Sequence, residues 1–260
     1  GRRHGQHSRR RGIQAPHQAR RGERYRCGRC RVVGSGSEGD IVLAREFDGV
    51  DDFLNVASAV LTAYPFTFAG WAYVDTLTGS RDMVAIGDKD AAGDYWELSV
   101  NSATSKLRFR SAVSDVQSNA ETTSNITTSA WQHWCAVGTS STSRNVYLNA
   151  GSVGSNTTSS TPANLDPTRI GQRPSTGAGN QMDGKLAEIA IWSAALSVAE
   201  IEILADGYSP LFVRPGSLVA YWPLIGRTGP EIDIVGGNNM TVTEAVVADH
   251  PRIIYPAMPY

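Results

Sequence analysis

Residues 183–201 read DGKLAEIAIWSAALSVAEI, and this stretch decides the fold. Asp183-Gly184 is a turn dipeptide, because Gly tolerates positive φ and Asp can bond its own backbone. Alternation then places Leu186, Glu188, Ala190 and Trp192 on one face of a strand, and Ala187, Ile189 and Ile191 on the other. Both faces are largely apolar, so the strand is expected to be covered on two sides. Ser197 followed three positions later by Glu200 is the signature of a capping box. The short helix it opens should reach Asp206 and stop at Gly207.

Upstream, runs of β-forming residues recur between polar turns, the pattern of an all-β sandwich. FDGVDDFLNV (47–56) holds a turn at Asp48-Gly49 between two strands. FTFAGWAYVDT (66–76) alternates Phe66, Phe68, Gly70, Ala72 and Val74 against Thr67, Ala69, Trp71 and Tyr73. DMVAIGD (82–88), DYWELSVN (94–101) and KLRFRSAV (106–113) read as a meander, with Trp96, Leu98 and Val100 sharing one face. WQHWCAVG (131–138), RNVYLNAG (144–151) and TRIGQRP (168–174) continue the series. SLVAYWPL (217–224) and IDIVGGNNMTVT (232–243) follow the helix.

In this order the segments resemble the LamG-like (concanavalin A-like lectin/glucanase, laminin G/pentraxin-type) domains, of the kind found in phage and environmental bacterial surface proteins. The resemblance runs from residue 47 to residue 201. It is carried by F-D-G-x-D-D-F-L, F-T-F-x-x-W, W-x-H-W-x-A, V-Y-L-N-A-G, I-G-x-R and G-K-L-x-E-I-x-I-W-x-x-A-L-S-x-x-E-I. It implies an all-β jelly-roll β-sandwich of two antiparallel sheets with one short helix near 197–206. In many relatives the A-Y-W-P-type strand precedes F-D-G, whereas here it follows the helix. It is expected to fill the same place beside F-D-G from the other end.

The chain has 260 residues and a net charge of −1, but the charge is uneven. Residues 1–40 hold eleven Arg against Glu23, Glu38 and Asp40, and few large apolar residues. They are expected to form a disordered Arg-rich extension, with the folded domain at 41–246 and an extended, Pro-rich tail at 247–260. A nucleic-acid-binding arm within residues 1–31, or a zinc site of Cys27 and Cys30 with two of His4, His7 and His17, is the sharper but less favoured reading. Cys135 is expected to be a free, buried thiol. No apolar run approaches the roughly 18 residues that span a membrane.

Glycoside hydrolysis needs two carboxylates on one face. The nearest string, Glu231-Ile232-Asp233-Ile234-Val235-Gly236, has Gly where the general acid would stand, so no catalytic residue and no enzyme is expected. Calcium takes six to eight oxygens, and relatives often hold one at the sandwich rim. The resemblance, with the C-terminal strand beside F-D-G, implies a Ca²⁺ site from Asp48, Asp51, Asp52, Asp233, Asn238 and Asn239. Five of the six Trp stand in strand motifs and read as core. Tyr95, opposite in direction to Trp96, is the candidate exposed ligand contact, and His133 is expected to be a hydrogen-bonded structural histidine.

The function expected is a non-catalytic binding or adhesion module for a glycan or surface receptor, extracellular or on a virion surface. The alternative is a structural virion protein, such as a capsid decoration or tail-fibre component, acting through other virion proteins. A carbohydrate-active enzyme comes third.

Overall fold

The computed structural model describes residues 1, 30–33, 43–90, 93–174 and 180–256, with only the backbone of residues 30–33. In chain order the first strands are β1 (Cys30–Val33), β2 (Leu43–Asp48), β3 (Phe53–Val56), β4 (Phe66–Val74), β5 (Arg81–Gly87) and β6 (Tyr95–Asn101). Next come β7 (Lys106–Val113), β8 (Val116–Asn125), β9 (Trp131–Ser140), β10 (Ser143–Leu148), β11 (Gly151–Asn156) and β12 (Thr168–Ile170). After β13 (Asp183–Trp192) the helix α1 (Val198–Ala205) intervenes, followed by β14 (Leu218–Trp222), β15 (Thr241–Thr243), β16 (Val246–Asp249) and β17 (Ile253–Pro256).

All of these strands except β1 and β17, which pair with each other, make the expected two antiparallel sheets. One has seven strands in the order β15-β3-β12-β5-β6-β7-β8. The other has eight, in the order β11-β10-β9-β4-β13-β2-β16, with β14 also on β13. The alternating apolar faces of β4, β5, β6, β7 and β9 meet between the sheets, where Phe66, Phe68, Trp96, Phe109 and Trp134 are fully buried. Trp96 lies 4.6 Å from Phe66, ring centre to ring centre. A second apolar layer lies outside the eight-stranded sheet, where α1 sets Ile201 and Leu204 against Trp192, Cys135 and Tyr221. That layer is why both faces of β13 are apolar.

β13 departs from the alternation its sequence suggests. Ala187 pairs with Trp71 and Ala190 with Ala69, so Glu188 and Ile189 together face the single residue Gly70. Glu188 takes φ +59° at this bulge. The extra residue resets the pleat, and Leu186 joins Ile189 and Ile191 in the inter-sheet core while Ala190 and Trp192 face the outer layer. Asp183-Gly184 is not a hairpin turn either. Both residues are already in the strand, paired with Asp48 and Phe47 of β2. Gly184 has φ +128°, and a Cβ there would sit 2.0 Å from the Tyr73 carbonyl oxygen.

The F-D-G segment turns as expected at Gly49 (φ +79°), with the Val50 N–H donating to Asp48 Oδ1 at 2.8 Å. Its two strands do not pair with each other, however: β2 belongs to one sheet and β3 to the other. The helix also begins and ends as the sequence predicts. The Ser197 N–H and hydroxyl both donate to Glu200 Oε2 at 2.7 Å. At the far end Gly207 takes φ +86°, and the Tyr208 N–H reaches back to the Ile203 carbonyl.

The chain ends differ from the expected division. Residues 246–249 form β16 on β2, and β17 pairs antiparallel with β1. The C-terminal segment is therefore extended but built into the molecule, with His250, Pro251 and Ile253 buried. Residues 30–33 of the Arg-rich segment form a strand; residues 2–29, including Cys27, His4, His7 and His17, lie outside the described residues.

Candidate functional site

Alternation on β6 and β7 sends Trp96, Leu98, Leu107 and Phe109 into the core. It therefore sends Tyr95, Glu97, Ser99, Arg108 and Arg110 to the outer face of the seven-stranded sheet. The register sets Glu97 opposite Arg110 and Ser99 opposite Arg108, and places Asp82 of β5 opposite Ser99. Arg173, just after β12, closes over them. Its backbone N–H donates to Asp82 Oδ2 at 3.3 Å and its Nη1 to Glu97 Oε2 at 3.4 Å. The same guanidinium stacks on the Tyr95 ring at 4.4 Å. Arg110 Nη1 lies 3.6 Å from Glu97 Oε2 and donates to the Tyr95 hydroxyl at 3.3 Å.

This cluster is recessed. Asp82 and Glu97 have no exposed surface, and Tyr95, expected at the surface, is only 3% exposed because Arg173 covers its ring. Burial pushes the Asp82 carboxyl well above the ordinary aspartate value. The Glu97 charge adds to that push, and Arg173 and Arg110 offset part of it. Burial likewise raises the Tyr95 phenol. Asp82 Oδ1, Glu97 Oε1 and the Nε atoms of Arg108, Arg110 and Arg173 are buried without a hydrogen-bond partner. Buried polar atoms are nearly always paired, so five orphans in one cluster mark a place that can engage a polar ligand. The sequence carries one signal of this site: Glu97 and the pair Arg108 and Arg110 are charges at alternate positions of adjacent strands.

The residues expected to bind calcium fall in two places. Carboxylate oxygens of Asp48, Asp51 and Asp52 lie within 4.8 Å of one another. Asp52 Oδ2 accepts the Asp48 N–H at 2.9 Å. Burial raises the Asp52 carboxyl, against the pull of that N–H, and the charges of Asp48, Asp51 and Glu244 raise it further. A cation would relieve this repulsion, so the donor set fits an oxygen-seeking divalent ion.

Asp233, Asn238 and Asn239 are elsewhere. β14 does adjoin the same edge of β13 as β2, but end to end with it: Asp48 faces Asp183, while Tyr221 faces Ala190. Seven residues at about 3.3 Å each separate the two positions by roughly 20 Å. Asp233 Oδ1 accepts from the N–H groups of Tyr221, Val235 and Gly236, and Oδ2 from the N–H and side-chain amide of Asn238. The Asn239 side-chain oxygen Oδ1 accepts the Asp233 N–H at 3.0 Å. Together the three residues organise a turn, and the six candidate ligands do not converge.

Glu231 is committed as well. Its carboxylate is buried, 2.6 Å from Arg45 Nε, and accepts the Gly226 N–H. A second acidic group, Asp88, Asp90 and Asp166, already holds a cation of the protein: Lys89 Nζ lies 2.8 Å from Asp90 and 2.9 Å from Asp166. His133, expected to be a hydrogen-bonded structural histidine, is buried with its Nδ1 unpartnered, and burial lowers its pKa to about 3. Cys135 is free and buried, its thiol pushed up by that burial.

A sequence profile described as the concanavalin A-like lectin/glucanases superfamily matches residues 48–202, more than half of the chain. The chain belongs to this superfamily. No curated protein matches it. Among solved structures it is similar to a Bacteroides ovatus protein provisionally assigned as carbohydrate binding, with a TM-score of 0.63 and 19% identity. That match covers 83% of this chain and 62% of the other, so this chain spans less than two thirds of that protein's length. It is similar to the heptameric SAP-like pentraxin of Limulus polyphemus (TM-score 0.55, 13% identity, 80% of this chain and 95% of the other). It also resembles the CBM40 of the Ruminococcus gnavus IT-sialidase bound to α2,3 sialyllactose (TM-score 0.52, 9% identity, 64% and 100%). At these identities the likeness is one of fold. No helix among the described residues is long and apolar enough to cross a membrane.

Proposed function

We propose that this chain is a non-catalytic glycan-binding module that takes its ligand on the outer face of the seven-stranded sheet. The observation that carries the reading is the cluster of Asp82, Tyr95, Glu97, Arg108, Arg110 and Arg173 with its five unpartnered polar atoms. Sugar hydroxyls both donate and accept, so they can satisfy orphaned guanidinium N–H groups and orphaned carboxylate oxygens together. Arg173 is the movable element, since its bonds to Glu97 and Asp82 are long and its side chain is the one partly exposed. The carbohydrate-related descriptions of the Bacteroides and Ruminococcus structures agree with this reading. Glu97 is shared by two guanidinium groups, which suits an anchoring acceptor better than a nucleophile.

The test is calorimetric titration with a panel of oligosaccharides. Binding should be found, and Arg110→Gln should weaken it at least about tenfold, the loss of one charge-assisted hydrogen bond. Absence of saccharide binding, or equal binding by the variant, overturns the reading. Assembly into particles without sugar binding would favour the structural virion protein.

A calcium ion at Asp48, Asp51 and Asp52 belongs to the same proposal. Excess Ca²⁺ should raise the melting temperature by mass action, about 2.7 kcal/mol at a hundredfold excess over the dissociation constant. Asp48→Asn should abolish that gain and Asp233→Asn should preserve it. Identical melting of the wild type with calcium and with chelator rejects the metal.

A further inference from the structure

The outer side of the eight-stranded sheet carries a buried polar knot that sugar binding does not use. At its centre is Glu188, the buried residue at the bulge in β13. Its Oε2 accepts the Tyr221 hydroxyl at 2.5 Å, and its Oε1 accepts the Tyr255 hydroxyl at 2.5 Å. His250 Nε2 lies 3.2 Å from the same Oε1, while His250 Nδ1 lies 2.6 Å from the Pro251 carbonyl oxygen.

Hydrogen counting fixes the proton content of this knot. A carbonyl oxygen only accepts, so Nδ1 must carry a hydrogen. An ionised carboxylate also only accepts, so Nε2 needs a second one unless Glu188 itself is protonated and donates. Imidazolium with carboxylate, and imidazole with carboxylic acid, contain the same number of protons. Both hold one more than a neutral imidazole beside a carboxylate. Neither tyrosine supplies it, because burial first, and the Glu188 charge second, push both phenols up. Ser209 touches the knot only through the Tyr221 hydroxyl, at 3.3 Å. Across a cavity of about 10 Å³, room for roughly one water, stands His133, which burial keeps neutral. Among the described residues no Lys or Arg forms an ion pair with Glu188.

We propose that Glu188 and His250 form a one-proton clasp that locks the C-terminal strand, and through it β1, onto the body of the domain. His250 precedes β17 and Tyr255 lies within it, and both are tied to Glu188. β17 in turn pairs with β1 and exchanges backbone bonds with the segment after α1: Ile254 N–H to Gly207, and Ser209 N–H to Ile254. Removing the proton sets an imidazole lone pair against a carboxylate. Adding a second leaves a buried imidazolium without a counter-charge. The clasp is closed only between these two limits, so pH can free both strands while the sandwich stays folded.

The experiment is amide hydrogen exchange of residues 250–256 in the full chain between pH 4 and pH 10, corrected for intrinsic exchange, with a control in β6. Protection of the segment should pass through a maximum and fall about tenfold per pH unit beyond each edge, the slope for one linked proton, while β6 stays protected. Glu188→Gln supplies a permanent amide N–H to a neutral Nε2, so this variant should keep its protection on the alkaline side, and His250→Ala should lose protection at every pH. Protection in the wild type that is flat across the range, or an alkaline loss in Glu188→Gln equal to the wild type's, overturns the clasp.

Discussion

Asp233 gathers five donors onto one buried carboxylate, and four of them are backbone N–H groups. Burial alone would raise its pKa, but the backbone N–H bonds outweigh it and hold the group below the usual aspartate value. A depressed carboxylate stabilises the fold above its unfolded pKa, and the gain disappears as pH falls through the folded one. Asp233→Asn should therefore cost on the order of 1–3 kcal/mol at pH 7, and the gap to wild type should shrink below about pH 4. Urea titrations of both proteins at pH 7 and pH 3 measure it; an equal gap at both would show that charge is not what the turn uses. At Gly184 the constraint is steric. Gly184→Ala should cost roughly 2 kcal/mol or more, because the new methyl meets the Tyr73 carbonyl and φ is +128°. A neutral result in a thermal melt would mean that β13 can shift away from β4.

Among the elements, α1 was the most legible from sequence, because capping is local chemistry. Ser197, Glu200 and Gly207 act within a few residues of one another, so their spacing alone specifies where the helix starts and stops. The structure shifts the weight towards Glu200, which accepts from the Ser197 N–H and hydroxyl and also from Arg214 Nε. Glu200→Ala should cost more than Ser197→Ala, each on the order of 1 kcal/mol, as read by chemical denaturation. The reverse order would show that the hydroxyl carries the cap. β13 was legible as a strand covered on both sides but not in its facing. The bulge at Glu188 is a property of its pairing with β4, and the alternation of letters contains no record of it.

At the scale of the whole molecule, the chain ends are part of the fold. Removing residues 246–260 takes away β16, β17 and the buried Ile253, and should lower the melting temperature by more than about 5 °C. Removing residues 1–29, an Arg-rich segment with little apolar surface, should leave it nearly unchanged, whereas a deletion through residue 33 also removes β1 and should lower it. Equal melting of all three shortened chains and the full one would mean that the β1–β17 pair contributes nothing measurable.

The sequence by itself determined the two-sheet sandwich, the helix and its limits, and most of the inward-facing residues. Periodicity, turn chemistry and capping act over a few residues and are written in neighbouring letters. Only the tertiary structure decided that β14 and β2 share one edge of β13 end to end, so that Asp48 and Asp233 stand far apart. It also decided that Arg173 lies across Tyr95, Glu97 and Asp82, and that His250 and Tyr255 reach Glu188 over more than sixty positions. These outcomes depend on strand register and on which edge each strand finds. Register is settled by the packing of the entire sandwich and not by any short stretch of the chain.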